Sequence, residues 1–266
     1  MSTKGRGSWT LSYDDAGNGR ALLFVHGWPL DRTIWLGQLG GLAIHARCIV
    51  PDLRGFGGSP GDDAGSATID GYADDLVHLL DALAIPRAVV CGLSMGGYVA
   101  LSLLGRHPSR VDGLILADTR AGADSAEQRA TRERLIAFVQ AQGIPALADQ
   151  QLDKMVGSTT RASRPELCEM LRRMMAGAPP RSVVGAQRAM LVRRDWSAAL
   201  ASIAVPTLVV AGAEDAIIPV AEQRAMADAI PGAQWVEIPG AGHVAPFERP
   251  AAFNHAVTEF LLSMDG

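Results

Sequence analysis

Six short apolar runs, separated by longer stretches with helical periodicity, are the feature that most constrains the fold of this 266-residue chain. The runs are rich in valine, isoleucine and leucine, and they lie at 21–27, 46–52, 88–94, 111–118, 206–212 and 234–240. Strands that are apolar on both faces are typical of a parallel sheet covered by helices on both sides. The alternation of strands and helices therefore predicts a three-layer α/β fold with right-handed crossovers.

Two helices are predicted with particular clarity. The first has apolar side chains every three or four positions and Thr68 as its N-cap: Ile69, Tyr72, Ala73, Leu76, Leu80 and Leu83. The second begins near Pro250 and has a similar stripe: Phe253, Val257, Phe260, Leu261 and Met264. Such stripes indicate amphipathic helices that pack one face against the sheet.

The interval 121–198 interrupts the alternation, because it contains helical patterns and no convincing strand. We interpret it as a helical cap inserted between two strands of a core domain that consists of residues 1–120 and 199–266. Five of the nine methionines lie in this cap. They would form either an adaptable wall of a binding site or packing contacts between the cap helices. The cap also has more basic than acidic side chains, which would favour anionic substrates or simply form a solvated surface.

Composition excludes several function classes. The formal net charge is -4, and no basic stripe or charge run indicates binding to nucleic acid. No apolar run is long enough to cross a membrane, and the first residues lack the apolar stretch of a signal peptide. The three cysteines are far apart and form no metal-ligand spacing. We expect a soluble cytoplasmic protein with reduced thiols, no bound metal and no membrane association.

The segment 92–96 fits the pattern Gly-x-Ser-x-Gly and places Ser94 between a predicted strand and a predicted helix. In this context the pattern predicts a sharp turn that exposes the serine hydroxyl, whereas alone it is a weak indication, since glycine and serine occur in many turns. The amides at the start of the helix would face developing negative charge. Ser94 is therefore the candidate nucleophile.

A serine nucleophile needs a base, and the base needs an acid that orients it. The candidate base is His243, which follows the last predicted strand, and the favoured acid is Asp215, just past the end of another strand. Asp118 also follows a strand and is the rival acid, whereas Glu214 is expected to point elsewhere. The order serine, acid, histidine matches one of the known orders of a catalytic triad.

An acyl-transfer site also needs two amide donors for an oxyanion. We predict the backbone N–H groups of Met95 and Trp28, the second in the turn His-Gly-Trp-Pro, with the Trp28 ring against the pocket. His26 is expected to form structural hydrogen bonds, and so are Asp52 and Arg54, to the backbone or to each other. The glycine spacing around these two residues does not make a dinucleotide-binding motif.

Together these segments resemble the α/β-hydrolase family. Five of them occur in the family's order over nearly the whole chain: FVHGWP, DLRGFGGS, GLSMGG, AGAEDAIIP and GAGHVAPFERP. The resemblance implies a mostly parallel eight-stranded sheet with a helical cap, the triad Ser94, Asp215 and His243, and an oxyanion hole formed by the amides of Trp28 and Met95. Within the family, the chain resembles bacterial carboxylesterases, cofactor-free haloperoxidases (perhydrolases) and 3-oxoadipate enol-lactonases.

We therefore expect a serine hydrolase that cleaves small carboxylic esters without a cofactor, as a monomer or a homodimer. The alternative is a lactonase of the 3-oxoadipate enol-lactonase type, and perhydrolysis could accompany either activity. A non-catalytic receptor with the same fold is a third hypothesis, which the three filled triad positions disfavour.

Overall fold

The computed structural model describes residues 11–61 and 67–264, and its centre is a seven-stranded sheet with the order β1-β3-β2-β4-β5-β6-β7. The strands are β1 (Tyr13–Ala16), β2 (Ala21–Val25), β3 (Arg47–Pro51), β4 (Ala88–Leu93), β5 (Val111–Ala117), β6 (Thr207–Gly212) and β7 (Gln234–Ile238). β1 pairs antiparallel with β3, and all other pairs are parallel. The carboxyl ends of β2 to β7 therefore lie along one edge of the sheet.

All six predicted strands are confirmed, each within a few residues of its predicted bounds. The prediction missed β1, a short edge strand whose sequence Tyr-Asp-Asp-Ala is only partly buried and has no apolar run. Seven of the eight strands that the family resemblance implies are thus found among the described residues.

Ten α-helices surround the sheet in the described part of the chain, and both faces of the sheet carry a buried apolar cluster. They are α1 (Leu36–Leu42), α2 (Ile69–Ala82), α3 (Met95–Arg106), α4 (Ala126–Met155), α5 (Ser158–Ser163), α6 (Pro165–Ala176), α7 (Pro180–Leu191), α8 (Val220–Asp228), α9 (Ala245–Glu248) and α10 (Pro250–Ser263). The predicted N-cap of α2 is confirmed, since the Thr68 side chain accepts a hydrogen bond from Gly71 N. α10 begins at Pro250 as predicted.

Helices α4–α7 form a helical insertion between β5 and β6, where the sequence predicts helices and no strand. α4 is broken at Gly143, whose φ of +80° is outside the helical region. Within the interval 121–198, Asp124 binds the guanidinium groups of Arg132 and Arg193. Arg193 also stacks on the Tyr98 ring of α3 at 4.2 Å from its centroid, and this contact joins the interval to the helix that follows β4.

All three cysteines are free, and burial raises the pKa of the Cys48 thiol to about 12. A thiol in this state is a packing group and not a nucleophile. None of the helices in residues 11–61 and 67–264 is long and apolar enough to span a bilayer.

Candidate functional site

Ser94 lies in the turn between β4 and α3 with a backbone conformation of φ +53° and ψ -113°. This conformation is unfavourable for a residue with a side chain, and it persists here because the turn is held on both sides. Ser94 N donates to Ala117 O at 2.9 Å, and Ser94 O accepts from Gly97 N at 2.9 Å and from Thr119 Oγ1 at 2.7 Å. The strain turns the serine side chain out of the sheet edge toward the insertion.

The glycines around Ser94 are required by close backbone contacts. A Cβ atom on Gly96 would lie 2.1 Å from Val25 O, and one on Gly92 would lie 2.2 Å from Gly96 O. Real Cβ atoms do not approach a carbonyl oxygen this closely, so α3 can begin this near the sheet only because both positions lack a side chain. The sequence pattern around the serine thus has a steric cause.

His243 and Asp215 complete a continuous hydrogen-bonded chain with Ser94. His243 Nε2 lies 2.8 Å from Ser94 Oγ, and His243 Nδ1 lies 2.9 Å from Asp215 Oδ2 and 3.1 Å from Asp215 Oδ1. Since an ionised carboxylate only accepts, the Nδ1–H donates to Asp215 and the lone pair of Nε2 faces the serine hydroxyl. The imidazole is thereby held in the tautomer that can take a proton from Ser94.

Asp215 is fixed by three further donors. Its Oδ1 accepts from Ile217 N at 2.8 Å and Ile218 N at 3.0 Å, and its Oδ2 accepts from Gln223 Nε2 at 3.0 Å. The neighbouring Glu214 points away, as predicted, and binds Ser158 and Thr159 at the start of α5. Gln223 was not predicted, because nothing in the sequence shows that a glutamine on α8 reaches back to this carboxylate.

Asp118 lies beside this chain but does not bind the imidazole. Its Oδ1 accepts from Gly212 N at 2.8 Å and its Oδ2 accepts from Ala245 N at 2.9 Å. Burial and then the nearby Asp215 carboxylate raise the pKa of Asp118 to about 8. The structure thus brings Asp215, and not the rival Asp118, into contact with the histidine.

The groups around His243 shift the pKa of its imidazole in opposite directions. Burial lowers the pKa of the imidazole, whereas the charge and the hydrogen bond of Asp215, followed by the charge of Asp118, raise it. The guanidinium of Arg120, on the pocket side, opposes them. The two carboxylates prevail, so the pKa of His243 lies above its usual value of 6.5.

The residues that carry the two predicted oxyanion donors both lie near Ser94. Met95 is the first residue of α3, so its N–H has no partner within the helix. Gly27 packs against the serine turn, since a Cβ on it would lie 3.3 Å from Ser94 Cβ, and the following Trp28 lines the same cavity as Ser94. Among the described residues, neither N–H donates to a protein acceptor.

The other residues singled out in the sequence make structural contacts. His26 is fully buried, with Nε2 accepting from Leu53 N at 3.0 Å and Nδ1 2.9 Å from Gly27 O. Asp52 accepts from the backbone N–H groups of Arg32 and Gly58, as predicted. The Arg54 guanidinium binds the Asp75 carboxylate on α2, a partner that was not predicted.

A cavity of about 310 Å³ lies between Ser94 and the insertion. Ser94 and His243 are on its floor, and its apolar wall is formed by Trp28, Tyr98, Leu135, Met155, Met190, Ile217 and Ile218. The Trp28 ring is oriented by its Nε1, which donates to Val183 O on α7 at 3.0 Å. Two of the five methionines of the predicted cap thus line the cavity, whereas Met175 is buried elsewhere and Met170 is exposed.

The cavity also has a polar wall that the sequence did not reveal. Its members are Arg120, Asp124, Glu127, Gln128, Thr131, Arg132, Gln151, Lys154 and Gln187. They come from the loop after β5 and from α4 and α7, so only the packing of the insertion brings them together. In residues 11–61 and 67–264, no three His, Cys, Asp or Glu side chains are grouped as a metal site would require.

Comparison with known proteins agrees with this architecture. A family model described as "alpha/beta hydrolase fold" matches residues 20–250. The structure of a thermophilic esterase from Thermogutta terrifontis is 41% identical, covers 96% of this chain and 93% of that one, and has a TM-score of 0.92. The structure of a bromoperoxidase from Bacillus anthracis is 25% identical, with 94% of both chains covered and a TM-score of 0.84.

Sequence comparison also finds relatives that match over most of their length. The 3-oxoadipate enol-lactonase 2 of Acinetobacter baylyi is 31% identical over 237 residues, which cover 89% of this chain and 86% of that protein. The family match over residues 20–250 includes β2 to β7, the insertion and both loops that contribute to the site. This chain is therefore a member of the α/β-hydrolase family.

Proposed function

We propose that this protein is a serine hydrolase that cleaves small carboxylic esters. The observation that carries the proposal is the hydrogen-bonded chain from Ser94 Oγ through His243 to Asp215 on the floor of a cavity. Three groups in this order are the arrangement that makes a serine hydroxyl nucleophilic at neutral pH. The similarity to an esterase over nearly the whole chain supports the same class of reaction.

In the first half of the reaction, Ser94 Oγ attacks the ester carbonyl and transfers its proton to His243 Nε2. Asp215 stabilises the imidazolium that forms. The negative charge on the carbonyl oxygen is stabilised by the N–H groups of Met95 and Trp28, which are not used by any protein acceptor in the described residues. His243 then protonates the leaving alcohol, and the acyl group stays on Ser94.

In the second half, water takes the place of the alcohol. His243 removes a proton from this water, which attacks the acyl carbonyl, and the same two amides stabilise the second oxyanion. Return of the proton from His243 to Ser94 releases the carboxylic acid and restores the starting state. Hydrogen peroxide could replace water at this step, in line with the similarity to a bromoperoxidase.

Lactone hydrolysis is the second candidate, and the polar wall of the cavity favours it. Gln151 and Gln187 are buried side chains of the insertion that could bind a polar ring, and Arg132 already donates to Gln187 Oε1 at 3.0 Å. The same triad would open a lactone, with the leaving hydroxyl still attached to the acyl group. The similarity to an enol-lactonase gives this candidate its support.

A fluorophosphonate probe tests the shared chemistry, because it reacts with activated serines and not with ordinary ones. We expect one label per chain on Ser94, and no label when Ser94 is replaced by alanine. Rates on p-nitrophenyl acetate, p-nitrophenyl butyrate and an enol-lactone then separate the two candidates, with faster ester turnover expected. Absence of labelling in the folded protein would contradict both and favour the non-catalytic receptor.

The rate constant kcat/KM for p-nitrophenyl acetate is expected to fall as the pH decreases through a midpoint above 6.5. His243 must be neutral to accept the serine proton, and its pKa is raised above 6.5 by Asp215 and Asp118. The pH profile of kcat/KM measures this midpoint. Glu214→Gln is the control, and it should not change the midpoint of the profile. A midpoint well below 6.5 would show that the two carboxylates do not raise the pKa of His243 as proposed.

A further inference from the structure

Asp118 is a fully buried carboxyl group that the proposed reaction does not use. It directly follows β5, has a φ of +47°, and is 0% exposed. We infer that Asp118 is a positioning residue that holds the loop carrying the acid and the loop carrying the base at their working distance. This inference rests on the proposed function and concerns the same site.

The contacts of Asp118 connect two separate segments of the chain. One carboxyl oxygen accepts from Gly212 N, at the end of β6, directly before the loop 213–219 that contains Asp215. The other accepts from Ala245 N, at the start of α9, directly after the loop 239–244 that contains His243. Asp118 therefore connects the end of β6, just before the loop with Asp215, to the start of α9, just after the loop with His243.

The backbone of Asp118 is itself anchored in the sheet. Its N–H donates to Val210 O on β6 at 2.9 Å, so the side chain starts from a fixed point between β5 and β6. A left-handed φ is unfavourable for a residue with a side chain, but an aspartate tolerates it better than most residues do. This conformation directs the carboxyl group between the two loops instead of along the strand.

Among the described residues, no lysine, arginine or histidine forms a recorded hydrogen bond or ion pair with Asp118, and the charge of His243 acts on it without contact. Burial of a carboxyl group that binds no cation is costly, and an apolar side chain would fill the space at lower cost. An apolar side chain could not accept hydrogen bonds, however. With such a side chain at position 118, Gly212 N and Ala245 N would be buried without partners.

The distance that these contacts control is the one between His243 Nδ1 and Asp215 Oδ2, which is 2.9 Å. A shift of about 1 Å in a catalytic group can reduce a rate by about 100-fold. The two loops are also joined directly, since Glu214 N donates to Ala241 O at 2.8 Å, and Glu248 joins Gly242 N to Gly157 N in the helical insertion. Asp118 adds the contacts on the other side of the two residues, because it binds Gly212 before Asp215 and Ala245 after His243.

Two substitutions of Asp118 remove one or both of its hydrogen bonds to Gly212 N and Ala245 N. In Asp118→Asn the amide keeps one acceptor oxygen but directs its NH2 at the second N–H donor, so one of the two hydrogen bonds is lost in either orientation. In Asp118→Ala both are lost. For p-nitrophenyl acetate we expect kcat to fall about 10-fold and about 100-fold respectively. KM should stay within about twofold, because His243 acts in both halves of the reaction and both slow together.

Asp52→Asn is the matched control. Asp52 is also a buried carboxylate that accepts from two backbone N–H groups, those of Arg32 and Gly58; in addition it binds the Arg32 guanidinium, and it has no recorded contact with either loop. We expect this variant to unfold at a lower temperature and to keep its kcat per folded molecule. The folded fraction of every variant is measured by circular dichroism at the assay temperature, so that loss of folded protein is not counted as loss of rate.

A spectroscopic readout separates positioning from stability. The downfield proton NMR signal of the His243 Nδ1–H reports its hydrogen bond to Asp215, and we expect it to shift or broaden in Asp118→Ala and to be unchanged in Asp52→Asn. A normal kcat per folded molecule and an unchanged signal in Asp118→Ala would overturn the inference. Ser94→Ala is measured in parallel: if it keeps its activity, the proposed function fails, whatever Asp118 does.

Discussion

Replacement of Ser94 by alanine is expected to lower kcat/KM for p-nitrophenyl acetate by at least ~10⁴-fold, since no acyl-enzyme can form. The remaining His243 and Asp215 would still bind each other, and the cavity would keep its shape, so KM should change little. Steady-state hydrolysis measures the loss. Because alanine retains the Cβ and the backbone of the turn, the variant should fold like the original protein.

Ser102→Ala is the matched control for this substitution. Ser102 is a buried serine on α3, two turns after Ser94, and its Oγ donates to Asp70 Oδ1 at 2.6 Å, away from the cavity. Loss of this hydrogen bond should cost about 1 kcal/mol of stability and leave kcat/KM within a few-fold of the original value. If Ser94→Ala keeps more than a tenth of the activity, another nucleophile acts and the proposed mechanism is wrong.

Replacement of Asp215 by asparagine is expected to lower kcat by about 10⁴-fold with little effect on KM. The structure gives the reason. Ile217 N and Ile218 N both donate to Oδ1, so the single oxygen of the asparagine must take that position and the NH2 must face His243 Nδ1. An NH2 can only donate, so Nδ1 would become the acceptor and the proton would move to Nε2, where it blocks the base.

Glu214→Gln provides the comparison at the adjacent position. Glu214 binds Ser158 and Thr159 on α5 and does not contact His243, so kcat is expected to stay within about threefold. The same p-nitrophenyl acetate assay serves for both variants. If Asp215→Asn and Glu214→Gln lose activity to a similar extent, the loss comes from disturbing the loop 213–219 and not from the acid.

Most of the fold could be predicted because buried parallel strands have a strong local pattern. Six strands and the presence of a helical insertion between β5 and β6 follow from apolar runs and their interruption. β1 could not be predicted, because its residues are half polar and its strand state depends on pairing with Cys48 to Pro51 of β3. A strand whose conformation comes from its partner leaves little trace in its own sequence.

In the candidate site, too, some features follow from local sequence patterns and others depend on distant contacts. Ser94, Asp215 and His243 could be proposed because each follows a predicted strand, and the ends of parallel strands meet at one edge. The sequence favoured Asp215 over Asp118 as the acid, although both positions satisfy this condition. Only the distances decide it: Asp215 contacts Nδ1, whereas both oxygens of Asp118 are occupied by Gly212 N and Ala245 N.

The cavity wall is the part for which sequence alone is least informative. Arg120, Gln151, Gln187 and Trp28 are far apart along the chain, and their side chains meet only after the insertion packs over the sheet edge. Apolar runs and helical stripes are local patterns, and so the sequence by itself determined the α/β architecture, the serine turn and the order of the candidate residues Ser94, Asp215 and His243. The contact of Asp215 with His243, the contacts of Asp118 and the shape of the cavity depend on distances between segments as far apart as residues 118 and 245, which only the tertiary structure decided.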